Sequence, residues 1–210
     1  MTFLNLKKIS VLLIIISIAG CFRTSKNFQK DADIIRLRHL EYYGKLLMDY
    51  NKKTGKYPFQ GQRKIPTYVH VANDEQIEYT KQGPPYTHEV LPFKSLVIEI
   101  ESVLGNEVNE YYDPQCRPDY KPNFYIYMVA DDTFYFSVHV HQPFPFAKKI
   151  GKNYYKIVVS NHPSSQNQTL SPQQLFETSE FKTESSKPLS KEGFFKRHEN
   201  KYLHYTKTTT

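Results

Sequence analysis

The sequence predicts an α+β domain in which one long N-terminal helix packs on an antiparallel sheet of about three or four strands, with a second, shorter helix in the connection. Three observations carry this expectation. The first is the helical periodicity of residues 31–59. Ile34, Leu37, Leu40 or Glu41, Gly44, Leu47 and Asn51 trace one stripe at steps of three and four, flanked by Ile35, His39, Tyr42 or Tyr43 and Tyr50. Arg36, Arg38, Lys45 and Asp49 fall on the other side. Asp31 or Asp33 suits the start, Lys52 and Lys53 suit the negative end of the dipole, and Gly55 with Pro58 stops the helix. The second is the same spacing in Phe93, Leu96 or Val97, Ile100, Val103 and Leu104, with Pro92 at the entry and Gly105 past the end.

The third is a hairpin pattern. Phe124 to Val129 and Phe134 to Val140 are rich in aromatic and β-branched residues, and Ala130-Asp131-Asp132-Thr133 lies between them as a turn. Tyr154 to Ser160 adds another strand after the proline-broken segment Pro143 to Pro145, and Tyr68 to Val71 is a short strand candidate. From Pro163 onward the composition turns to Ser, Gln, Thr, Lys and Glu. Leu170 to Phe181 suits a brief helix, and the last thirty or so residues read as weakly structured.

Composition bounds the function classes. With 39% hydrophobic residues, 17 Tyr and 14 Phe in 210 positions, the chain can build one core. The formal charge is 28 − 21 = +7, or 26 − 21 = +5 once residues 1–20, which hold Lys7 and Lys8, are set aside. Basic residues are scattered, with short patches only at Lys148, Lys149, Lys152 and at Lys196, Arg197, so no nucleic-acid partner is expected. Glycine-rich phosphate loops and GxSxG nucleophile signatures are absent, and no cofactor is expected.

The N-terminus points to a compartment. Lys7 and Lys8 precede the apolar run Ile9 to Ile18 and small residues follow, which is the order of a secretory signal. Ile18-Ala19-Gly20-Cys21 resembles the lipobox of bacterial lipoproteins. The resemblance implies that Cys21 becomes the first mature residue, is lipidated with palmitate among its acyl chains, and holds the protein on a membrane. Phe22 rather than Asp follows it, which by analogy with envelope sorting implies the outer membrane. The domain reading is then signal peptide 1–20, lipidated tether 21–30, globular domain 31–162 and polar C-terminal region 163–210. Cys116 is left as a single thiol.

The run Tyr50-Asn51-Lys52-Lys53-Thr54-Gly55-Lys56-Tyr57-Pro58 resembles the helix end of type II secretion pseudopilins. Tyr112-Asp113-Pro114 followed by Phe124-Tyr125-Ile126-Tyr127 resembles that family's Asp-Pro loop entering its sheet. The resemblance implies a pilin-like fold over Asp31 to Val140 and a link to a secretion or pilus-like system. The chain departs from the family in placing its apolar run before the expected cut, which argues against filament assembly.

Candidate chemistry is sparse. His139 and His141 alternate on one strand face and, with His70 as a third donor, are the weak metal candidates; no HExxH pattern accompanies them. Asp131 and Asp132 suit the turn better than an acid pair, and Asp113 or Glu110 near Cys116 lacks a base fixed by sequence. The tyrosines Tyr125, Tyr127, Tyr135 and Tyr154 are candidates for an adhesive surface. The expected function is a non-catalytic, lipid-anchored envelope protein that binds another protein. The alternatives are an immunity lipoprotein against a periplasmic toxin and a periplasmic hydrolase built on His139, His141 and Asp113.

Overall fold

The computed structural model describes residues 3–62, 66–74, 76–77, 89–114, 124–152, 154–165 and 168–189, with side chains from residue 29 onward. Two compact units divide the chain: Ala32–Lys187, and Met1–Asp31 with Pro188–Thr210. Everything below concerns Ala32–Lys187. The side chain of Cys21 and all of Cys116 lie outside the described residues, as does the lipobox's side-chain environment. Among the described residues, no helix is long and apolar enough to cross a membrane.

Helix α1 spans Phe3–Thr54 and ends as its sequence asks: Gly55 takes φ 70°, and its N–H returns to Asn51 O at 2.7 Å. Leu37, Leu40, Tyr43 and Leu47 join the main apolar core with strand residues such as Val69, Tyr127 and Phe136. Asp33 lies inside this helix and does not cap its start. Arg36, expected on the solvent side, is fully buried.

Strands β1 (Thr67–Val71), β2 (Glu89–Pro92), β3 (Tyr125–Ala130), β4 (Thr133–Val140), β5 (Lys148–Gly151), β6 (Tyr154–Ser160) and β7 (Thr169–Leu170) form one sheet. Their order is β2-β1-β3-β4-β6-β5, with β7 on β6. The expected antiparallel sheet of three or four strands, and with it the pilin-like fold, is corrected by this seven-stranded mixed sheet. The physical reasons are specific. β2 pairs parallel with β1 and β7 parallel with β6, and no hairpin turn announces such pairings in sequence. β5 is an exposed lysine-bearing edge strand, with a register shift between Lys149 and Gly151, and lacks the apolar pattern of a buried strand.

The β3–β4 hairpin forms where expected, with Ala130 opposite Thr133 and Asp131 at φ 48°. Asn161 secures the turn: its amide donates to Asp132 O at 2.6 Å and its Oδ1 accepts from Phe134 N at 2.9 Å. Residues alternate along these strands. Tyr125, Tyr127 and Val129, then Phe134, Phe136 and Val138, then Ile157 and Val159 face the core. Tyr43 of α1 lies 5.4 Å from Phe136, centroid to centroid, so α1 covers this face.

Helix α2 (Phe93–Leu104) follows β2 directly. Pro92 is its N-cap, Gly105 closes it at φ 76°, and Phe93, Leu96, Val97 and Ile100 are buried. Lys53 of α1 donates to the terminal carbonyls of Val103 and Leu104 at 3.1 and 3.2 Å, a cation at a helix C-terminus.

Two short helices, α3 (Pro172–Glu177) and α4 (Ser179–Ser185), occupy the segment expected to hold a brief helix. Ser171 and Gln174 form a reciprocal capping box at α3, and Thr178 caps α4. Arg38 of α1 donates to Ser185 O and Lys187 O at 2.9 and 2.7 Å, so this part of the polar C-terminal region belongs to the compact unit.

Gly44 sets how closely α3 approaches α1. A Cβ there would meet the Phe176 ring tip at 2.5 Å. Gly44→Ala gains about 1 kcal/mol of helix propensity against an overpacking cost of about 1–3 kcal/mol. The variant is expected to lose about 1 kcal/mol, read by urea unfolding. In a Phe176→Ala background the same change is expected to stabilise. An unchanged sign in both backgrounds would refute the contact's role.

Candidate functional site

Among the described residues, a cluster of buried ionisable groups lies where α1, the segment 108–114 and the exit of β4 meet. Residues 32–37 of α1 are continuously buried, so a polar side chain on any face of that stretch requires a protein partner. Arg36 finds two. Its Nε and Nη2 donate to Asp113 Oδ2 and Oδ1 at 2.7 and 2.8 Å, a bidentate pair, and Nη1 donates to Asp33 Oδ1 at 2.7 Å. All three side chains are fully buried. Burial alone would lower the guanidinium's pKa, but Asp113 and Asp33 outweigh it and push it up, so Arg36 stays charged.

Asp33 has further duties. Its carboxylate accepts from the backbone N–H of His141 and of Gln142, each at 2.9 Å to Oδ2, where the chain leaves β4. Asp113 is held from the other side, its carbonyl accepting from Gln76 Nε2 at 2.8 Å. Tyrosines of α1 continue the clamp along the same segment. Tyr43 Oη accepts from Tyr111 N and donates to Tyr111 O, both at 2.7 Å, and Tyr42 Oη accepts from Asn109 N at 2.8 Å.

His141 stands at the rim, its side chain 12% exposed, with Nδ1 3.5 Å from Asp33 Oδ1 and 3.3 Å from Arg36 Nη1. Nδ1 thus faces both a donor, Arg36 Nη1, and an acceptor, Asp33 Oδ1, and either ring tautomer can meet one of them. His139 stacks on Tyr154 at 5.2 Å, and Tyr154 meets His141 edge-on at 6.4 Å. Burial, then Lys156 and Arg36, hold His139 down at about 3.

The structure thus brings Asp113, His141 and His139 into one neighbourhood through Arg36 and Tyr154. Arg36 and Asp33 are the members that sequence reading missed. Their one available signal was an opposite-charge pair at i, i+3 within the charged stretch Asp31 to Arg38, where a solvated face is the ordinary reading. Among the described residues no group of three or more His, Cys, Asp or Glu could hold a metal ion. His70 lies in β1, and its row on the sheet runs through Ile126 and Ser137, a different row from that of His139.

The remaining candidates are dispersed. Glu110 pairs with Lys94 at 3.1 Å and accepts from the Tyr112 hydroxyl. Asp131 and Asp132 are exposed turn residues. Tyr125 and Tyr127, expected on an adhesive surface, are fully buried: the Tyr125 hydroxyl meets His39 Nδ1 at 2.8 Å, and that of Tyr127 donates to Pro58 O at 2.8 Å. Tyr135 and Tyr154 lie on the opposite sheet face, partly exposed, where Tyr135 continues a row through Met128 to Tyr68. No protein-family model, curated protein or solved structure matches the chain.

Proposed function

We propose that the protein is a non-catalytic, lipid-anchored component of the bacterial cell envelope that acts by binding another protein. The observation that favours binding over hydrolysis is the buried centre itself. Asp33, Arg36 and Asp113 bond one another and the backbone, and none of the three side chains is exposed to a substrate. Such a network fits a clamp that joins α1, the 108–114 segment and β4.

The partner surface under this reading is the sheet face turned away from α1, where Tyr68, Met128, Tyr135 and Tyr154 remain partly exposed. Amphipathic tyrosine and methionine side chains suit protein contacts, offering apolar area with little ordering cost. Lipidation at Cys21, read from the lipobox, would present this face at a membrane.

Cross-linking of the full lipidated chain in its own cells, followed by mass spectrometry, is expected to recover one stoichiometric protein whose yield falls in Tyr135→Ser. A toxin in that position would specify the immunity reading. A Tyr135→Ser yield equal to that of the wild type, or no reproducible partner, would overturn the surface or the binding reading respectively.

A further inference from the structure

One part of the sheet carries charge that the fold leaves unbalanced. From Thr133 to Phe176, the run that supplies β4 to β7, the chain contains Lys148, Lys149, Lys152 and Lys156 and not one Asp or Glu. Strand register then gathers the cations. His139 pairs with Lys156, and Lys156 pairs with Lys148, so the three side chains share one row on the face opposite α1. Two lysines directly opposite one another in adjacent strands repel, and a natural sheet normally avoids the arrangement.

Lys156 is also partly buried in the sheet, unlike Lys148 and Lys149 at the edge. Among the described residues its ammonium has neither a hydrogen bond nor an ion pair. Burial and then Lys148 push its pKa down. The groups that face this row are Tyr154 of the same strand, stacked on His139, the exposed Lys148 across from Lys156, and, further off, Arg36 and Asp113 acting on His139 and Tyr154. Burial is the main influence keeping the Tyr154 phenol protonated, so it stands ready as a donor. The row therefore offers two ammonium groups, a phenol O–H and an imidazole.

We propose that this row, Lys148 and Lys156 with His139 and Tyr154 beside them, is a binding site for a phosphate group. A phosphate matches it in chemistry. It brings several acceptor oxygens and more than one negative charge in a compact tetrahedron, which satisfies both ammonium groups and the two neutral donors at once. Either a phospholipid headgroup or a soluble phosphomonoester supplies that chemistry. The headgroup source rests on the membrane-anchored reading above, whereas the site itself does not.

The test uses the full-length chain in neutral detergent micelles, with two probes measured by calorimetry: inorganic phosphate, and a short-chain phosphatidylglycerol kept below its own micelle concentration. Saturable binding of at least one probe is expected, at least about tenfold weaker in Lys156→Gln and in Lys148→Gln, while Lys152→Gln binds as the wild type does. Preference for the lipid identifies a headgroup site, and preference for phosphate identifies a soluble ligand. Lys156→Gln is also expected to raise the melting temperature in the absence of probe, because it removes an unpaired, desolvated charge, and to lose the stabilisation that the probe gives the wild type. Absence of saturable binding with both probes, or binding insensitive to Lys148 and Lys156, overturns the proposal. Neither outcome bears on anchoring at Cys21 or on protein capture, so the two readings fail separately.

Discussion

Arg36→Met is expected to destabilise the compact unit Ala32–Lys187 by about 3–5 kcal/mol, the range for removing one partner of a buried ion pair. The change would leave two carboxylates, Asp33 and Asp113, buried without their shared counter-charge and at the same time unlock the 108–114 segment from α1. Arg36→Lys should recover only part of the loss. An ammonium keeps the charge but cannot make the forked contact to both oxygens of Asp113 while reaching Asp33. Urea unfolding checks this through tyrosine emission, since the chain has 17 Tyr and no Trp. A lowered midpoint at unchanged slope is the expected result. An Arg36→Met variant within about 1 kcal/mol of the wild type would mean that the network is a bystander to folding.

Acid should unfold the domain well before its surface carboxylates dominate. Burial first, with Arg36 and Arg38 adding to it, holds His39 down at about 3. An imidazole whose folded pKa lies below its unfolded value of about 6.5 binds its proton more readily in the unfolded chain. Its contribution is therefore complete above pH 6.5 and is lost as the pH falls toward 3, at about 1.4 kcal/mol per pH unit for one such group. His139 is held down as far, chiefly by burial, and should add a like share, while His70 is shifted in the same direction by burial. His39→Gln, which retains a group able to meet the Tyr125 hydroxyl, is expected to flatten the decline by about one proton. Stability measured from pH 7 to pH 4 reads this directly, and identical profiles for variant and wild type would refute it.

Local elements were legible in the sequence because their signals are local. Gly55 and Gly105 stop their helices in the left-handed conformation, Leu37 to Leu47 face the core, and Asp131 with Asp132 turns the hairpin. The size of the sheet was not legible. β2 and β7 attach by parallel pairing across intervening chain, β7 is two residues long, and β5 carries its lysines outward as an edge strand does. The site was half legible. His139, His141 and Asp113 were singled out by residue type, and they do converge. The residue that joins Asp113 to His141 is Arg36, 77 positions from Asp113, and its burial contradicts the helical pattern that put it in solvent. Long-range ion pairing leaves no periodic trace, so only the folded chain reveals it. The tyrosines show the same limit. Strand alternation puts Tyr125 and Tyr127 on one face and Tyr135 on the other, but not which face α1 covers.

Lipid on Cys21 is the proposed feature that would place the chain in the cell envelope. Fractionation of cells expressing the full chain or its Cys21→Ala variant tests this most directly. The wild type is expected in the outer-membrane fraction with acyl chains on its N-terminal peptide, and the variant is expected to lose both the acyl chains and the outer-membrane location. An unmodified Cys21 in the wild type, or a variant retained in the same fraction, would contradict the anchor and with it the proposed place of work.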